Sequence, residues 1–264
     1  MTAKARARSA TIVSARDIVN RFGGQQVHDR VSIDILRGEI VGIAGGSGSG
    51  KSVLLKTLVG LHRPNGGEVE IDGKPVAALG AAEKACLIGV LFQQGALFSS
   101  LTVAQNVMLP IRQYTRLSAD ERQRIAAMKL ALAGLPSEAG TKFPSELSGG
   151  MIKRAAFARA LALDPRILFL DEPTSDLDPL TASGIDALVA ELNRSLGITV
   201  VIVTHDLTTL ATVCRRVAML VDGKLRIGTV EELWRSRNPW IREFFHGPRG
   251  RAAMEARRRS DGDR

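Results

Sequence analysis

The segment Gly45–Ser52 carries residues whose types and spacing suit phosphate chemistry. It reads Gly-Gly-Ser-Gly-Ser-Gly-Lys-Ser and has the form G-x-x-x-x-G-K-[ST]. An apolar run typical of a strand, Ile40–Ala44, precedes it, and a stretch typical of a helix, Lys51–Leu61, follows it. Glycines allow the backbone to wrap around an anion, and N–H groups at a helix N-terminus attract phosphate oxygens. The pattern therefore predicts a site for a nucleoside triphosphate.

The positions of this loop have separate predicted roles. Lys51 places a positive charge toward the β- and γ-phosphates, and Ser52 offers a hydroxyl to Mg²⁺. The remaining positions surround the phosphates with backbone N–H groups; they are Gly45, Gly46, Ser47, Gly48, Ser49 and Gly50. A flexible Gly/Ser linker is the alternative interpretation, and the flanking strand and helix patterns argue against it.

Short apolar runs alternate with helical patterns along the chain. Several of these runs are apolar throughout, as strands buried on both faces of a parallel sheet are. The predicted strands are Ile40–Ala44, Leu87–Phe92, Ile167–Asp171, Ile198–Thr204 and Val217–Val221. The stretch Asp178–Leu196 has apolar residues at helical spacing and is followed by Gly197 as a stop signal. This alternation predicts an α/β fold with a parallel core.

Two further regions have a different character. The runs Ile12–Val13, Val31–Leu36 and Glu68–Ile71, together with turn signals at Asp72-Gly73 and Asp222-Gly223, predict an antiparallel β layer. Residues 95–163 predict a helical insert within the core domain. In that insert a capping box at Ser118–Glu121 precedes four apolar residues predicted to share one helix face: Ile125, Met128, Leu132 and Leu135.

Composition and charge restrict the function classes. The 264 residues carry a formal net charge of +9, and residues 1–10 and 249–264 contribute +3 each. We predict one domain over residues 10–245 and disordered basic tails at 1–9 and 248–264; contact with an anionic membrane or with nucleic acid are alternatives for the tails. No apolar run is long enough to cross a membrane, and no secretory signal is recognised. Cys86 and Cys214 are predicted to be reduced core thiols, which suits a cytosolic compartment.

Polar residues follow three of the predicted strands. Asp171 and Glu172 follow the apolar run Ile167–Leu170, at the edge of an α/β sheet where ligands bind. There Asp171 can orient Mg²⁺, and Glu172 can polarise an attacking water. Gln93 can reach the metal or the water, and His205 can donate a hydrogen bond to a γ-phosphate.

A second anion site is predicted at the start of another helix. Leu147-Ser148-Gly149-Gly150 precedes a helical stretch, Met151–Leu163, so a hydroxyl and glycine N–H groups meet a helix N-terminus. An ordinary helix cap is the simpler interpretation. If both sites bind phosphate, either the chain holds two anions or two copies share one nucleotide.

The order of these motifs resembles that of the ATP-binding subunits of ABC transporters, over about residues 10–245. The phosphate loop resembles Walker A, Leu147–Met151 the signature motif and Ile167–Glu172 Walker B. Gln93 falls at the Q-loop position, Ser175–Asp178 at the D-loop and His205 at the switch histidine. The resemblance implies a P-loop ATPase of mixed sheet, in which Glu172 is the catalytic glutamate, Gln93 and His205 assist hydrolysis, Asp178 contacts nucleotide, and Ser52, Gln93 and Asp171 hold Mg²⁺.

The resemblance also implies an assembly. Two such subunits pair head to tail, so that ATP lies between the Walker A of one subunit and Ser148, Gly149 and Gly150 of the other. The motion is passed to an integral-membrane permease, which places the chain at the cytoplasmic face of the inner membrane as a peripheral subunit. A soluble nucleic-acid-associated ABC protein is a further alternative. Such proteins commonly have two cassettes or long coiled-coil insertions, and neither is seen in this sequence, so nucleic acid is not an expected partner.

Two positions depart from the usual family pattern. The signature normally ends in Gln, whereas here Met151 stands in that place. The aromatic residue that stacks on adenine is normally Tyr, and the candidate here is Phe22. A phenylalanine ring supplies stacking without a hydroxyl. We expect activity to survive both changes.

The substrate is predicted from three segments. Phe92–Phe98, the signature ending in Met151, and Trp240–Gly247 resemble the ATPases of Mla-type transporters, which work with proteins carrying mammalian-cell-entry (MCE) domains. This resemblance implies transport of phospholipids or related hydrophobic molecules across the bacterial envelope. An importer for another solute, such as an amino acid or a metal chelate, is the alternative.

Overall fold

The structure is a computed structural model that describes residues 10–262. In this range the chain forms two compact units. The first unit comprises residues 10–79 and 199–262, and the second comprises residues 80–198. The predicted tail at residues 1–9 lies outside the described residues.

The strands of the described chain are short in the core and long near the N-terminus. In chain order they are β1 (Thr11–Phe22), β2 (Gln25–Leu36), β3 (Ile40–Gly45), β4 (Gly66–Ile71), β5 (Lys74–Pro75), β6 (Ile88–Leu91), β7 (Ile167–Asp171), β8 (Thr199–Val203), β9 (Arg216–Val221) and β10 (Lys224–Gly228). All five predicted core strands are therefore present, with ends that differ by one residue or so.

The helices of the same range are mostly short. They are α1 (Lys51–Leu58), α2 (Ala81–Leu87), α3 (Val103–Tyr114), α4 (Ala119–Leu132), α5 (Gly149–Ala160), α6 (Pro179–Leu196), α7 (Leu207–Thr212), α8 (Val230–Trp234), α9 (Pro239–His246) and α10 (Pro248–Gly262). Two 3₁₀ helices, Ser137–Thr141 and Pro144–Glu146, lie between α4 and α5.

The first unit contains two groups of strands. One is an antiparallel sheet in the order β2-β1-β4-β5, and the other has the order β10-β9-β3-β8, with β3 parallel to both neighbours. Asp72 and Gly73 take φ values of 52° and 76°, and Asp222 and Gly223 take 50° and 70°, as residues of tight hairpin turns do. The predicted antiparallel layer is confirmed, and the Asp72-Gly73 turn lies within it, between β4 and β5. The Asp222-Gly223 turn instead joins β9 to β10 in the second group of strands.

Hydrogen bonds from Arg216 join these two groups of strands. The guanidinium of Arg216, in β9, donates through Nε and Nη2 to the carboxylate of Glu39 at 2.9 and 2.6 Å. Nη2 also donates to the carbonyl oxygen of Asp34, in β2, at 2.7 Å. Glu39 is only 3 % exposed, and its hydrogen bonds with Arg216 raise the pKa of the guanidinium. The contact holds β3 in place next to the antiparallel sheet.

The second unit contains the parallel pair β6 and β7 together with helices α2–α6. Helices occupy much of the interval 95–163, where an insert was predicted, but the compact unit is larger than that interval and includes both strands. The predicted capping box is confirmed: the hydroxyl of Ser118 accepts from the Glu121 N–H, and the Glu121 carboxylate accepts from the Ser118 N–H.

The four apolar residues predicted to share one helix face do not form the packed face of α4, and Leu135 lies beyond the end of this helix. Met128 and Leu132 are 54 % and 38 % exposed. The buried positions of the helix are instead Ala126, Lys129 and Leu130. The ammonium group of Lys129 pairs with Asp164, which allows a charged residue to lie on the packed face. That carboxylate is 35 positions away in the chain, so the apolar periodicity of the helix does not reveal it.

Two further expectations are corrected. Cys86 is exposed on α2, a helix that buries none of its residues, whereas Cys214 is buried as predicted. The C-terminal segment, predicted to be disordered, forms α10 as far as Gly262. Ala253 and Met254 of this helix are buried, and Arg257 donates to the carbonyl oxygen of Ala211 at 2.5 Å. These contacts explain why a strongly basic segment is helical.

Candidate functional site

The predicted phosphate loop leaves the C-terminal end of β3 and leads directly into α1. Gly48 and Gly50 take φ values of 72° and 97°, a region that favours glycine. A Cβ on Gly45 would lie 2.6 Å from the carbonyl oxygen of Leu220 in β9. The loop therefore needs glycine at one position for close packing and at two for its backbone conformation.

The side chain of Lys51, at the end of the loop, folds back onto the loop backbone. Nζ of Lys51 donates to the carbonyl oxygens of Gly45 and Gly46, both at 2.9 Å. Gly50 is the N-cap of α1 and supplies no capping side chain. Ser49 Oγ is buried without a hydrogen-bond partner in the described part of the chain. A lysine, a helix N-terminus and an unsatisfied hydroxyl at one loop fit a phosphate group.

A buried polar cluster supports the loop from beneath, and sequence reasoning missed it. Nδ2 of Asn20 lies 2.9 Å from Nδ1 of His28 and donates to Oγ1 of Thr57 at 2.9 Å. All three side chains are 0 % exposed. The pKa of His28 is lowered to about 4, because burial disfavours the charged ring; contact with the Gly50 backbone opposes this shift and the charge of His62 adds to it.

His205 follows β8 at the same sheet edge as the loop. Ile43 of β3 pairs in register with Val203, and the Thr204 N–H donates to the carbonyl oxygen of Ile43 at 3.1 Å. Parallel strands bring their C-terminal ends to one edge, so His205 and the loop emerge together. The side chain of His205 is exposed.

Phe22 ends β1 and is 45 % exposed. Its ring stacks on that of His62, with centroids 5.1 Å apart and planes inclined by 27°. An aromatic ring with one face packed and a large exposed fraction can receive a flat base. The predicted adenine contact remains a prediction.

In the second unit the predicted acidic residues and Gln93 lie together. Leu91 of β6 pairs with Leu170 of β7, so Gln93 and Asp171 follow the same end of two parallel strands. Asp171 and Glu172 are only 5 % and 8 % exposed. Their roles in holding Mg²⁺ and polarising water stay predictions.

Lys153, on α5, contacts the backbone of two of these residues, and sequence reasoning missed it. Its Nζ donates to the carbonyl oxygen of Gln93 and, at 3.0 Å, to that of Glu172. Burial lowers the pKa of Lys153, and the charges of Asp176, Glu172 and Asp171 oppose that shift. A basic residue two positions beyond Met151 was the only signal that could have found it.

Ser148 and Asp178 both act as helix caps in the structure. The Ser148 hydroxyl accepts from the Met151 N–H at 3.4 Å, at the start of α5. The Asp178 carboxylate accepts from the N–H groups of Leu180 and Thr181 at 3.1 and 3.0 Å, at the start of α6. Hydrogen bonds from Thr181 hold the pKa of Asp178 below its ordinary value. Capping explains both residues locally, and nucleotide contact by either is a prediction.

The starts of these two helices pack together through the signature glycines. A Cβ on Gly150 would lie 2.5 Å from Cγ2 of Thr181, and one on Gly149 would lie 3.7 Å from Cδ2 of Leu177. A larger residue at position 150 would therefore force Thr181 to shift where α5 approaches α6. This contact ties the predicted signature to the predicted D-loop.

Comparison with known proteins identifies the family. The profile described as ABC transporter matches residues 28–175. The chain is 40 % identical over 241 residues to the probable ribonucleotide transport ATP-binding protein mkl of Mycobacterium leprae, covering 90 % of this chain and 69 % of that protein. Within residues 10–262, no helix combines the length and the apolar character needed to span a bilayer.

Two other relatives bear different names. The methionine import ATP-binding protein MetN of Caulobacter vibrioides is 42 % identical over 229 residues, covering 84 % of this chain and 68 % of MetN. The intermembrane phospholipid transport system ATP-binding protein MlaF of Escherichia coli is 37 % identical over 242 residues, covering 90 % of each chain.

A solved structure gives the same answer for the fold. The dimeric ATP-binding cassette MJ0796, in a post-hydrolysis state bound to ADP and Pi, superposes with a TM-score of 0.76 at 36 % identity, covering 83 % of this chain and 98 % of that one. The Walker A loop, the order of the remaining motifs and these likenesses lead to one conclusion. The chain belongs to the ATP-binding, ATP-hydrolysing subunits of the ABC transporter family.

Proposed function

We propose that this chain powers a transporter that moves phospholipids or related hydrophobic molecules across the bacterial envelope. The observation that carries the proposal is the likeness to MlaF, which extends over 90 % of both chains, whereas the match to MetN covers 68 % of that protein. The segment Phe92–Phe98 and Met151 of the signature support the same assignment.

In this proposal two copies of the chain pair head to tail and work with an integral-membrane permease and an MCE-domain protein. The dimeric state of the related cassette MJ0796 supports the pairing. The chain would be a peripheral subunit at the cytoplasmic face of the inner membrane. Phosphates of ATP would meet the Walker A loop of one copy and Ser148, Gly149 and Gly150 of the other.

The proposed chemistry is hydrolysis of the γ-phosphate by water. Lys51 binds the phosphates, Glu172 orients and polarises the water, and His205 donates to the γ-phosphate. Ser52, Gln93 and Asp171 would supply the oxygen ligands that Mg²⁺ prefers. The ion, when bound, neutralises charge on the phosphate oxygens.

The substrate class is tested by isolating the complex from membranes. An MCE-domain protein and bound phospholipid should co-purify with the tagged chain. A periplasmic solute-binding protein in their place would refute the lipid assignment and favour the second candidate, an importer of an amino acid or a metal chelate, which the 42 % identity to MetN supports.

The catalytic assignment is tested with Glu172→Gln. This variant should bind ATP as the native chain does, lose hydrolysis and accumulate as a dimer in size-exclusion chromatography with ATP, because the water is no longer polarised. Glu138→Gln, at an exposed position of the second unit, is the matched control and should leave turnover unchanged. Native turnover in Glu172→Gln would refute the assignment.

A further inference from the structure

Lys153 lies in an unusual environment for a lysine. It is 6 % exposed, yet its ammonium group has three oxygen acceptors. These are the carbonyl oxygens of Gln93 and Glu172, the latter at 3.0 Å, and the hydroxyl of Ser175 at 3.3 Å. Burying an ammonium group is costly unless its donors are satisfied, and here all three N–H donors have an acceptor.

The backbone that Lys153 contacts is held in an uncommon conformation. Glu172 has a φ of 49°, in the left-handed region that is unfavourable for a non-glycine residue. Its carbonyl oxygen accepts from Ser175 Oγ at 2.9 Å and from the Ser175 N–H at 3.2 Å, besides the contact with Lys153. Such a conformation persists where surrounding contacts fix it, and it sets the direction in which the Cα–Cβ bond of Glu172 leaves the backbone.

Lys153 also connects three segments that are far apart in the sequence. It belongs to α5, which begins at the signature glycines, and it donates to the residue after β7 and to the Gln93 loop after β6. A single ammonium group thus fixes the spacing between the backbones of two residues with predicted roles in hydrolysis. Both belong to the same compact unit as Lys153.

We propose that Lys153 is a positioning residue for ATP hydrolysis: it holds the backbones of Glu172 and Gln93 to the signature helix, and thereby aims the Glu172 carboxylate at the attacking water. This inference rests on the proposed catalytic role of Glu172. It assigns to Lys153 no contact with nucleotide, so its loss lowers turnover and leaves ATP binding in place.

The test is Lys153→Met, which keeps an unbranched side chain one heavy atom shorter and removes the ammonium donors. In the complex isolated from membranes, kcat should fall at least about tenfold, while KM for ATP and the Kd of a fluorescent ATP analogue change less than about threefold. Lys129→Met is the matched control, because Lys129 is 3 % exposed and pairs with Asp164 in the same unit. Its kcat should stay native even where its melting temperature falls.

A folded Lys153→Met variant with native kcat would overturn the proposal, as would an equal loss of kcat in Lys129→Met. Should Lys153→Met not fold, Ser175→Ala decides, because it removes another hydrogen bond to the Glu172 carbonyl oxygen. A lower kcat at unchanged KM supports positioning, and a native kcat contradicts it. The two failures can be told apart. If the catalytic role of Glu172 is wrong, Glu172→Gln retains turnover; if only the role of Lys153 is wrong, Glu172→Gln still loses it.

Discussion

Nε2 of His28 lies directly beneath Gly50 of the Walker A loop: a Cβ placed on Gly50 would come within 2.9 Å of it. The same Cβ would lie 2.3 Å from Cγ1 of Val27. The strand β2 therefore forms the support against which the last glycine of the loop rests. The loop conformation depends on this contact as well as on its own glycines.

We predict that Gly50→Ala destabilises the chain more than Gly48→Ala does. Both glycines have positive φ, which costs alanine about 1–2 kcal/mol. A Cβ on Gly48 would have no described atom within 4 Å, whereas one on Gly50 would clash with β2, which adds about 1–3 kcal/mol. Urea denaturation without nucleotide measures the difference. An equal loss in the free energy of unfolding in the two variants would contradict the conclusion that β2 supports Gly50.

The neutral state of His28 leads to a pH prediction. Its pKa is about 4 when folded and about 6.5 in an unfolded chain, so the unfolded state takes up the proton first as the pH falls. The contribution to stability is complete above pH 6.5 and is lost progressively between pH 6.5 and 4. We expect the free energy of unfolding to fall by about 2 kcal/mol between about pH 7.5 and 5 because of this one residue.

The control for that prediction is His28→Gln, which cannot titrate. Urea denaturation at both pH values gives the loss for each chain, and subtraction removes the effect of the carboxylates and of the other histidines. The native chain should lose about 2 kcal/mol more than the variant. An identical loss in both would show that His28 titrates normally in the folded state.

Lys51→Ala should weaken ATP binding at least about tenfold, because a charge-assisted contact with phosphate is worth about 1.5–3 kcal/mol. The measurement is the Kd of a fluorescent ATP analogue. Lys56→Ala is the matched control, since Lys56 lies exposed on the same helix, α1, and its loss should leave the Kd unchanged. Native affinity in Lys51→Ala would refute the role of this lysine.

Features that depend on neighbouring residues could be predicted from the sequence. The apolar run Ile40–Ala44 and the glycine pattern after it specify β3, the loop and α1, because strand burial, positive φ and helix initiation are all local. The turns at Asp72-Gly73 and Asp222-Gly223 were predictable for the same reason. The parallel arrangement then follows from the alternation of strands and helices.

The supports of the site could not be predicted in this way. His28 turns inward because the pairing of β1 with β2 shifts between Ile18↔Val31 and Asn20↔His28, at a bulge that includes Arg30 with a φ of 50°. Simple alternation from Val31 would have placed residue 29 inside instead. Lys153 is likewise buried because its ammonium group donates hydrogen bonds to carbonyl oxygens that are distant in the sequence. Such contacts join residues that are far apart in the chain, and no local sequence pattern predicts them.

The stack of Phe22 on His62 yields the last prediction. Phe22→Ala should raise the Kd for ATP about two- to tenfold, because stacking on a ring contributes about 0.5–1.5 kcal/mol, and should leave the Kd for inorganic triphosphate unchanged, because that ligand has no base. Phe98→Ala is the control: this ring is 52 % exposed in the other unit, and its loss should alter neither Kd. Equal weakening of both ligands in Phe22→Ala would show that the residue shapes the phosphate loop instead of receiving adenine. Native affinity for ATP would exclude any contact of Phe22 with the nucleotide.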